Sequence, residues 1–423
     1  MNKILLAIVT AAFALRLGYA VGSGELRKPQ TWEYEQIATN LVEHQTFLYQ
    51  DRAGRHHRSY AEPLYPFLAA AVYLVTNHNF AALVLLQLAI AAATVWMTGY
   101  ATRLATGDEL IANAAALLMA IHPGFIRYSS ILHPLVLDAF FFIAAAAALL
   151  RYRQGGRTSR PPWEADETSA LLSRRGVIAA AVIGFGALTR PTILVFLAPL
   201  CWIAWRSRDT FARRVQRAAL VALVAFAIVA PWTIRNAIVH RTFMLTRSGT
   251  GLVFWLGHNP ASSGSAKDAE GMRIIEKAPP DLRIRFVASG ELERDRMLHD
   301  AAWEYIRADP LAAIGRVVQR IYSFWWFSPQ WGQAFSPTAK LIYRGWWAFL
   351  LVLIAAGLVR SRHRDLWLMA ALALLISLGQ SVYYVEGRHR LAVEPLVLPL
   401  AAAGLTSLRR KRSAATTAST SRP

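Results

Sequence analysis

The loop that follows the first apolar segment combines acids and arginines of the kind used in group-transfer chemistry. Residues 31–66 read TWEYEQIATNLVEHQTFLYQDRAGRHHRSYAEPLYP. Glu33 and Glu35 open this loop, and a basic run at 55–58 separates them from Glu62. A carboxylate can take a proton from a hydroxyl, and arginine can hold a phosphate through two parallel hydrogen bonds. Between two membrane segments, this combination suits a reaction on a lipid-borne phosphate.

Glu33 and Glu35 are candidates for a general base. They stand in a segment where Tyr34, Ile37 and Leu41 recur at helical spacing, which predicts a short amphipathic helix on the outer surface. Partial desolvation at a water–lipid boundary raises the pKa of a carboxylate and favours proton acceptance. The alternative is an acid that only stabilises the first turn of its helix through the helix dipole.

The cations that could hold a phosphate come from three parts of the chain. Arg190 precedes Pro191, which breaks an apolar run, so its guanidinium can reach a membrane surface. It could instead be a snorkelling or structurally paired arginine, and the first-loop cluster could serve only to touch lipid headgroups. The candidate phosphate-binding residues are Arg55, Arg58, Arg190, Arg388 and Arg390.

Two further ionisable residues stand at the outer end of another apolar run. His133 and Asp138 lie in YSSILHPLVLDAF, and ionisable groups at membrane depth are costly enough to be functional candidates. Their spacing of five places them on different faces of a helix, so a joint role is not implied. The candidates for contacts with a donor or an acceptor are Tyr34, Glu62, Tyr65, His133, Arg235 and Asn259.

The composition is that of a polytopic membrane protein. Of the 423 residues, 55% are hydrophobic and only 17% are charged. The net charge of +20 is concentrated in short segments between apolar runs, which indicates orientation by cytoplasmic Lys and Arg rather than binding to nucleic acid. The single cysteine, Cys201, lies in an apolar run and excludes a cysteine-based metal site or disulfide framework. No metal ligand is assigned, and a divalent cation is left open as a cofactor.

Apolar runs long enough to cross a bilayer determine the predicted topology. The runs that are long enough, or nearly so, are 4–22, 80–102, 110–128, 132–150, 217–233, 342–359, 366–384 and 391–408. The run 176–205 is interpreted as two short spans, and 64–76 as a re-entrant or tilted helix. The basic segments assigned to the cytoplasm are 151–175, 206–217, 360–364 and 409–412. One path of ten crossings, with both termini in the cytoplasm, satisfies all of these assignments.

This path divides the chain into four parts. They are an N-terminal transmembrane catalytic module (1–233) that includes the first outer loop (23–79), an extracytoplasmic region (234–341), C-terminal transmembrane helices (342–408) and a cytoplasmic tail (409–423). The tail is small and polar and is predicted to be disordered. An aromatic run at 324–331 predicts a helix lying on the membrane surface.

Four sequence blocks resemble one family of membrane enzymes. They are EYEQIATNL followed by EPLYPFLAA, then ALTRPTILVFLAP, then PWTIRNAIVHRTFMLTRSGTGLVFWLGHNP, and then ELERDRMLHDAAWEYIRADP. In their order and spacing they resemble the GT-C fold glycosyltransferases, closest to the bacterial protein-O-mannosyltransferase-like family that includes the aminoarabinose transferases of lipid A. The resemblance covers most of the chain and implies an all-α polytopic bundle of about 10–11 transmembrane helices with extracytoplasmic loop regions.

The resemblance also implies a reaction and a base. In that family a sugar moves from a polyprenyl phosphate to an extracytoplasmic acceptor, generally with inversion, and an acid of the first outer loop acts as or beside the base. Carried over to this chain, that acid is Glu33, with Glu35 as second choice. Asp138 is a displaced candidate for a second acidic site, because relatives often have an acid near the position of His133.

The chain departs from the family pattern at two places. Gln30 and Thr31 stand where relatives frequently have an Asp, and Glu62-Pro63-Leu64 stands where some relatives have a Lys before two prolines. The phosphate must then be held by residues elsewhere, such as Arg55, Arg58 or Arg190.

Three functional hypotheses follow. The first is an inverting glycosyltransferase of the bacterial inner membrane with an outward-facing site. Its partners would be a polyprenyl-phosphate-linked sugar, membrane lipids and a glycan, lipid or protein acceptor. The second is a transporter or flippase for a lipid-linked or anionic solute, with the break at Arg190 as a discontinuous helix. The third is an inactive scaffold whose site has degraded at the two departures.

Overall fold

The computed structural model describes residues 2–155, 173–206, 210–267, 272–328 and 335–420. The N-terminal helices are α1 (Lys3–Gly22), α2 (Glu33–His44), α3 (Leu64–Thr76), α4 (Phe80–Thr106), α5 (Glu109–Ala120), α6 (Pro123–Tyr128) and α7 (Leu135–Gly155). A two-stranded hairpin, β1 (Tyr49–Gln50) and β2 (His56–His57), lies between α2 and α3. Because no other strand occurs in the described ranges, the fold is all-α, as predicted.

The second half of the chain is also helical. Its helices are α8 (Arg174–Ala187), α9 (Leu197–Trp205), α10 (Phe211–His240), α11 (Thr250–His258), α12 (Pro280–Ala288), α13 (Glu291–Ala308), α14 (Pro310–Trp325), α15 (Pro337–Arg360), α16 (Arg364–Ser381) and α17 (Gly387–Thr420). Short 3₁₀ helices occupy Pro191–Phe196 and Ile274–Lys277. Helices α11 to α14 lie within the predicted extracytoplasmic region.

Six helices of the described chain are long and apolar enough to cross a membrane. They are α1, α4, α7, α10, α15 and the Gly387–Leu408 part of α17. Shorter apolar helices span Leu64–Thr76, Glu109–Ala120 and Pro191–Trp205. The chain is therefore a multi-pass membrane protein, whereas the path of ten crossings and the cytoplasmic termini stay predictions. Residues 156–172 of the basic segment 151–175 lie outside the described residues.

The predicted continuous span at 110–128 is wrong, because the chain breaks between α5 and α6. Pro123 disfavours helical backbone at the preceding residue, and His122 is extended with ψ of 114°. The buried guanidinium of Arg16, on α1, donates to the last two carbonyls of α5 at 2.9 and 3.0 Å. Arginine thus binds two of the carbonyls that have no partner inside the helix, which lowers the cost of the break.

The predicted interruption of the 176–205 run is confirmed. Helix α8 ends at Ala187, and a 3₁₀ turn starts at Pro191 before α9 begins at Leu197. Proline lacks the N–H that a continuing helix needs and clashes with the preceding turn. The break leaves the side chain of Arg190 between two short helices.

The core of the bundle surrounds α17. This helix packs against α15, α16, α5 and α7. At the contact with α15, a Cβ on Gly357 would lie 2.1 Å from the carbonyl oxygen of Leu400, and one on Gly404 would lie 2.1 Å from that of Leu353. Glycine is therefore required at both positions, and the close backbone approach is typical of helix pairs in membranes.

The C-terminal tail is helical as far as Thr420, and its disorder stays a prediction. Helix α17 continues to Thr420, beyond the polar stretch that starts after Arg412. Extending an existing helix costs much less than starting a new one, so a helix anchored in the core can continue into a polar, alanine-containing sequence.

Candidate active site

Helix α2 places Glu33 at its first position, with one face of the helix buried. Tyr34 and Ile37 are buried, as their helical spacing predicted. The Tyr34 ring packs edge-on against the rings of Tyr65 and His133, with centroids 5.7 and 5.5 Å apart. These contacts orient α2, while the Glu33 side chain stays partly exposed.

The carboxyl of Glu33 is poised to bind a proton. Burial raises its pKa above the ordinary glutamate value, and its own backbone N–H together with Arg388 and Arg247 only partly offsets this effect. The charge of Glu62 raises the pKa further. Tyr60 also lies in this environment, since burial and the Glu33 charge both raise its pKa. A carboxylate with a raised pKa is a better base than one in water.

Arg247 supplies a cation that was not among the predicted site residues. Its Nη1 lies 3.6 Å from Oε2 of Glu62, and both side chains are mostly buried. Burial disfavours the charged guanidinium, but the opposing charge of Glu62 outweighs it and raises the pKa of Arg247. The only feature of the sequence near Arg247 that pointed to a special backbone conformation is Gly249. This residue adopts φ of 82° in the turn directly before α11.

Arg388 approaches the same place from the start of α17. Its guanidinium carbon lies 5.2 Å from the ring centroid of Trp32, the residue that precedes Glu33. Arg388 also donates to the Tyr384 hydroxyl at 3.2 Å and forms an ion pair with Glu386. Among the described residues, Glu33 therefore has two arginines near it, brought by segments more than 200 residues away in sequence.

Arg190 forms a buried pair beside this cluster. Its Nε donates to Oδ2 of Asp138 at 2.7 Å, and Asp138 is fully buried. The predicted alternative of a structurally paired arginine thus describes the main contact of Arg190.

Several predicted residues have other partners. Glu35 accepts from the Thr39 hydroxyl at 2.9 Å and lies 3.4 Å from His78. Arg55 donates to Asp51 at 2.8 Å, and the same carboxylate contacts His57 at 3.2 Å. These pairs give both side chains partners within the protein, and their roles in the reaction stay predictions.

Other predicted contacts are structural as well. The Tyr65 hydroxyl donates to Gln87 at 2.8 Å, and Asn259 donates to a carbonyl of its own helix. Arg235 donates to the carbonyl of Arg58 and to the Ser59 hydroxyl. Arg58 uses its backbone N–H to reach Glu291 at 2.8 Å.

Arg390 faces away from the Glu33 cluster. Its Nε donates to Oε1 of Glu394 at 2.8 Å, and the second oxygen of Glu394 contacts His122. The three side chains are buried, and the guanidinium carbon of Arg390 lies 4.3 Å from the Trp347 ring centroid. Positions two apart on a helix point in different directions, which separates Arg390 from Arg388.

No group of three or more His, Cys, Asp or Glu side chains assembles as a metal site within the described ranges. The two carboxylates of the cluster, Glu33 and Glu62, are accompanied by Arg247 and Arg388. The residues present therefore supply positive charge through guanidinium groups.

Comparison with known proteins identifies the architecture. No family model and no curated protein matches the chain. The oligosaccharyltransferase of Archaeoglobus fulgidus in complex with Zn and sulfate matches with a TM-score of 0.55 at 16% identity, covering 96% of this chain and 49% of that chain. The archaeal oligosaccharyltransferase AglB from Archaeoglobus fulgidus, in complex with an inhibitory peptide and a dolichol-phosphate, gives 0.51 at 15% identity, covering 96% and 50%.

A bacterial structure is also similar. ArnT from Cupriavidus metallidurans bound to undecaprenyl phosphate gives a TM-score of 0.43 at 15% identity, covering 97% of this chain and 79% of that chain. This chain spans about half the length of the oligosaccharyltransferases. Over nearly its whole length, it has the GT-C fold of membrane-embedded glycosyltransferases, as its sequence blocks predicted.

Proposed function

We propose that this protein is an inverting glycosyltransferase that uses a polyprenyl-phosphate sugar. The observation that carries the proposal is the partly exposed carboxyl of Glu33 with a raised pKa, on which the nearby charges of Arg388 and Arg247 act. The reaction needs this combination of one base and fixed positive charge. The GT-C fold supports the same class of function.

In the proposed reaction the acceptor hydroxyl attacks the anomeric carbon of the sugar. A new C–O bond forms on one face while the bond to the phosphate oxygen breaks on the other, and the phosphate leaves with the electron pair. A hydroxyl has a high pKa, so its proton must pass to a carboxylate as the bond forms, and Glu33 is that base. A phosphate leaving group needs no acid but gains negative charge, which fixed cations stabilise.

We assign the phosphate-holding role to Arg247 and Arg388. Arginine binds phosphate through two hydrogen bonds, and the side chains of both arginines stay partly exposed in a mostly buried setting. Some relatives have a Lys where this chain has Glu62-Pro63. We assign the positive charge of that missing Lys to Arg247, and Glu62 orients its guanidinium. Arg190 has a supporting role, because its Nε is already bonded to Asp138.

The acceptor is a hydroxyl on the outer side of the membrane, carried by a lipid, a glycan or a protein. The transporter hypothesis has one supporting observation, the helix break at Arg190. Arg190 is paired with Asp138, so it offers a transported solute less charge than the Glu33 cluster does. This contact does not favour the transporter hypothesis.

A transfer assay tests the proposal. Full-length protein in proteoliposomes is given a panel of radiolabelled polyprenyl-phosphate sugars with an extract of outer-surface lipids and glycans as acceptor. We compare wild type, Glu33→Gln and the matched control Glu43→Gln, which changes an exposed glutamate of the same helix. The proposal expects label on the acceptor with wild type and Glu43→Gln, and a large loss with Glu33→Gln. Equal transfer by Glu33→Gln, or label moved across the bilayer while still attached to its carrier, contradicts it.

A further inference from the structure

A buried serine of the first outer loop joins three separate segments near the site. Ser59 is fully buried; its carbonyl oxygen accepts from the backbone N–H of Ser248 at 2.7 Å and lies 3.1 Å from the Ser248 hydroxyl oxygen. Its own hydroxyl donates to Asn236 at 2.9 Å and lies 2.9 Å from Nε2 of His240. The first loop, the end of α10 and the loop before α11 are thus held together at one junction.

The first residue of α13 closes this junction. One carboxylate oxygen of Glu291 accepts from the backbone N–H of Arg58 at 2.8 Å. The other accepts from the Ser59 N–H at 3.3 Å and from the Ser248 hydroxyl. A single carboxylate therefore binds both loops. It also accepts hydrogen bonds from the backbone N–H groups of Arg58 and Ser59.

The junction lies beside the ion pair of the proposed site. Arg247 directly precedes Ser248, and Glu62 follows Ser59 by three residues. The two loops that Glu291 joins are therefore the two that carry Arg247 and Glu62. A shift of one loop against the other would change the 3.6 Å approach of these side chains.

Helix α13 has separate contacts that keep it in place. One turn after Glu291, Asp295 accepts from the backbone N–H groups of Gly251 and Leu252 at 2.7 and 3.2 Å. A Cβ on Gly251 would lie 1.9 Å from the carbonyl oxygen of Asp295, so α11 and α13 are in close contact. Buried Leu298 and Ala302 belong to an apolar cluster shared with α11. Loss of the Glu291 carboxylate therefore loosens the junction without removing α13.

We propose that Glu291 is a positioning residue, which holds the Arg247 loop against the first outer loop and so fixes the guanidinium in the site. The catalytic consequence depends on the proposed function, whereas the positional part depends only on the contacts above. A misplaced charge stabilises a leaving phosphate poorly, because pre-organisation is what makes such a charge effective.

Hydrogen exchange on the full-length protein in nanodiscs tests the positional part. Glu291→Gln places an amide N–H against backbone N–H donors, and Glu293→Gln is the matched control on the exposed face of the same helix. We expect exchange at the amides of Ser59 and Ser248 to become about tenfold faster in Glu291→Gln. Peptides that cover 297–306 stay protected, and the control matches wild type. Unchanged exchange at Ser248 overturns the proposal.

Binding of undecaprenyl phosphate tests the consequence and separates it from the proposed function. Arg247→Gln and Glu291→Gln should each weaken binding by about tenfold, and the double variant should bind no more weakly than Arg247→Gln alone, because both changes remove the same contact. The positioning role is overturned if the losses of affinity in the two single variants add up in the double variant. It is also overturned if Glu291→Gln binds normally while Arg247→Gln binds weakly. If wild type binds no polyprenyl phosphate, the proposed function fails, and the exchange result alone decides whether Glu291 holds the loops.

Discussion

Two charged clusters of this chain contain the same residue types in different surroundings. In the cluster of Glu394, Arg390 and His122, no residue is more than 4% exposed, and both carboxylate oxygens have partners. In the Glu33 cluster, the side chain of Arg247 is 26% exposed and that of Arg388 is 18% exposed. The closed cluster has its charges matched inside the fold. In the open cluster Arg247 pairs with Glu62 and Arg388 with Glu386, but both arginine side chains stay partly exposed, so a charged ligand can reach them.

Arg388 and Arg390 show how a small change of position assigns a residue to one cluster or the other. Both stand in the first turn of α17. Arg388 contacts Trp32 next to Glu33, and Arg390 contacts Glu394 and Trp347. A buried salt bridge is costly to break, while an accessible arginine contributes little to stability. The comparison therefore predicts that changes in one cluster affect the fold and changes in the other affect the reaction.

The largest expected effect on stability belongs to the closed cluster. Glu394→Ala leaves a buried arginine without its partner, which we expect to cost about 3–5 kcal/mol of unfolding free energy. Denaturant titration of the purified protein measures it, with Arg388→Ala as the comparison in the open cluster. An Arg388→Ala variant as unstable as Glu394→Ala would remove the distinction between the clusters.

A large effect on the reaction is also expected at Arg247. Removing one donor to a developing anionic charge typically lowers a rate by about 10²–10³-fold, and we expect Arg247→Gln to fall in this range. Arg247→Lys keeps the charge without the paired hydrogen bonds and should recover part of the rate. Initial transfer rates measure this, with the melting temperature as a check on folding. Full activity of Arg247→Gln would show that the phosphate binds elsewhere.

The pH dependence of transfer follows from the raised pKa of Glu33. The base must be deprotonated, so activity rises with pH up to the pKa of Glu33 and falls by about tenfold per pH unit below it. Because burial raises this pKa, the acidic limb should lie above the pKa of about 4.3 of a glutamate in water. The residual activity of Glu33→Gln should lack this limb. A wild-type limb at the ordinary glutamate value would contradict the partial burial of the base.

The smallest effect is expected at the hairpin of the first outer loop. Burial of Asp51 opposes its charge, but hydrogen bonds from Arg55 and His57 outweigh this and hold its pKa below the ordinary value. The stabilisation is thus present above the unfolded-state pKa of about 3.9 and is lost as the pH falls. Asp51→Asn should cost about 1 kcal/mol or less, with transfer retained. Limited proteolysis measures the loss of stability, and we expect faster cleavage within 49–57 in Asp51→Asn. Loss of transfer in this variant would contradict the prediction and would place the hairpin in the site.

Single helices and helix breaks were predictable because they depend on residues that are close together in the sequence. Helix α2 follows from the spacing of Tyr34 and Ile37, and the break before α9 follows from Pro191. The break at Pro123 was missed because the apolar run continues through it and its cost is met by Arg16, a partner from another helix.

The site was predictable only in part, because its members meet through tertiary contacts. Glu33 and Arg388 were both predicted as site residues, and the structure places Arg388 against Trp32, the residue before Glu33. Arg247 was missed, since nothing near it in sequence indicates that Glu62 will lie beside it. The pairing of Arg55 with Asp51, by contrast, involves residues four apart and could have been anticipated from the sequence.

A structure of the protein with bound polyprenyl phosphate tests the central claim most directly. The account predicts that the phosphate contacts the guanidinium groups of Arg247 and Arg388, with the Glu33 carboxylate beside the space left for the sugar and acceptor. A phosphate held instead by Arg55 and Arg58, or bound away from Glu33, would contradict it.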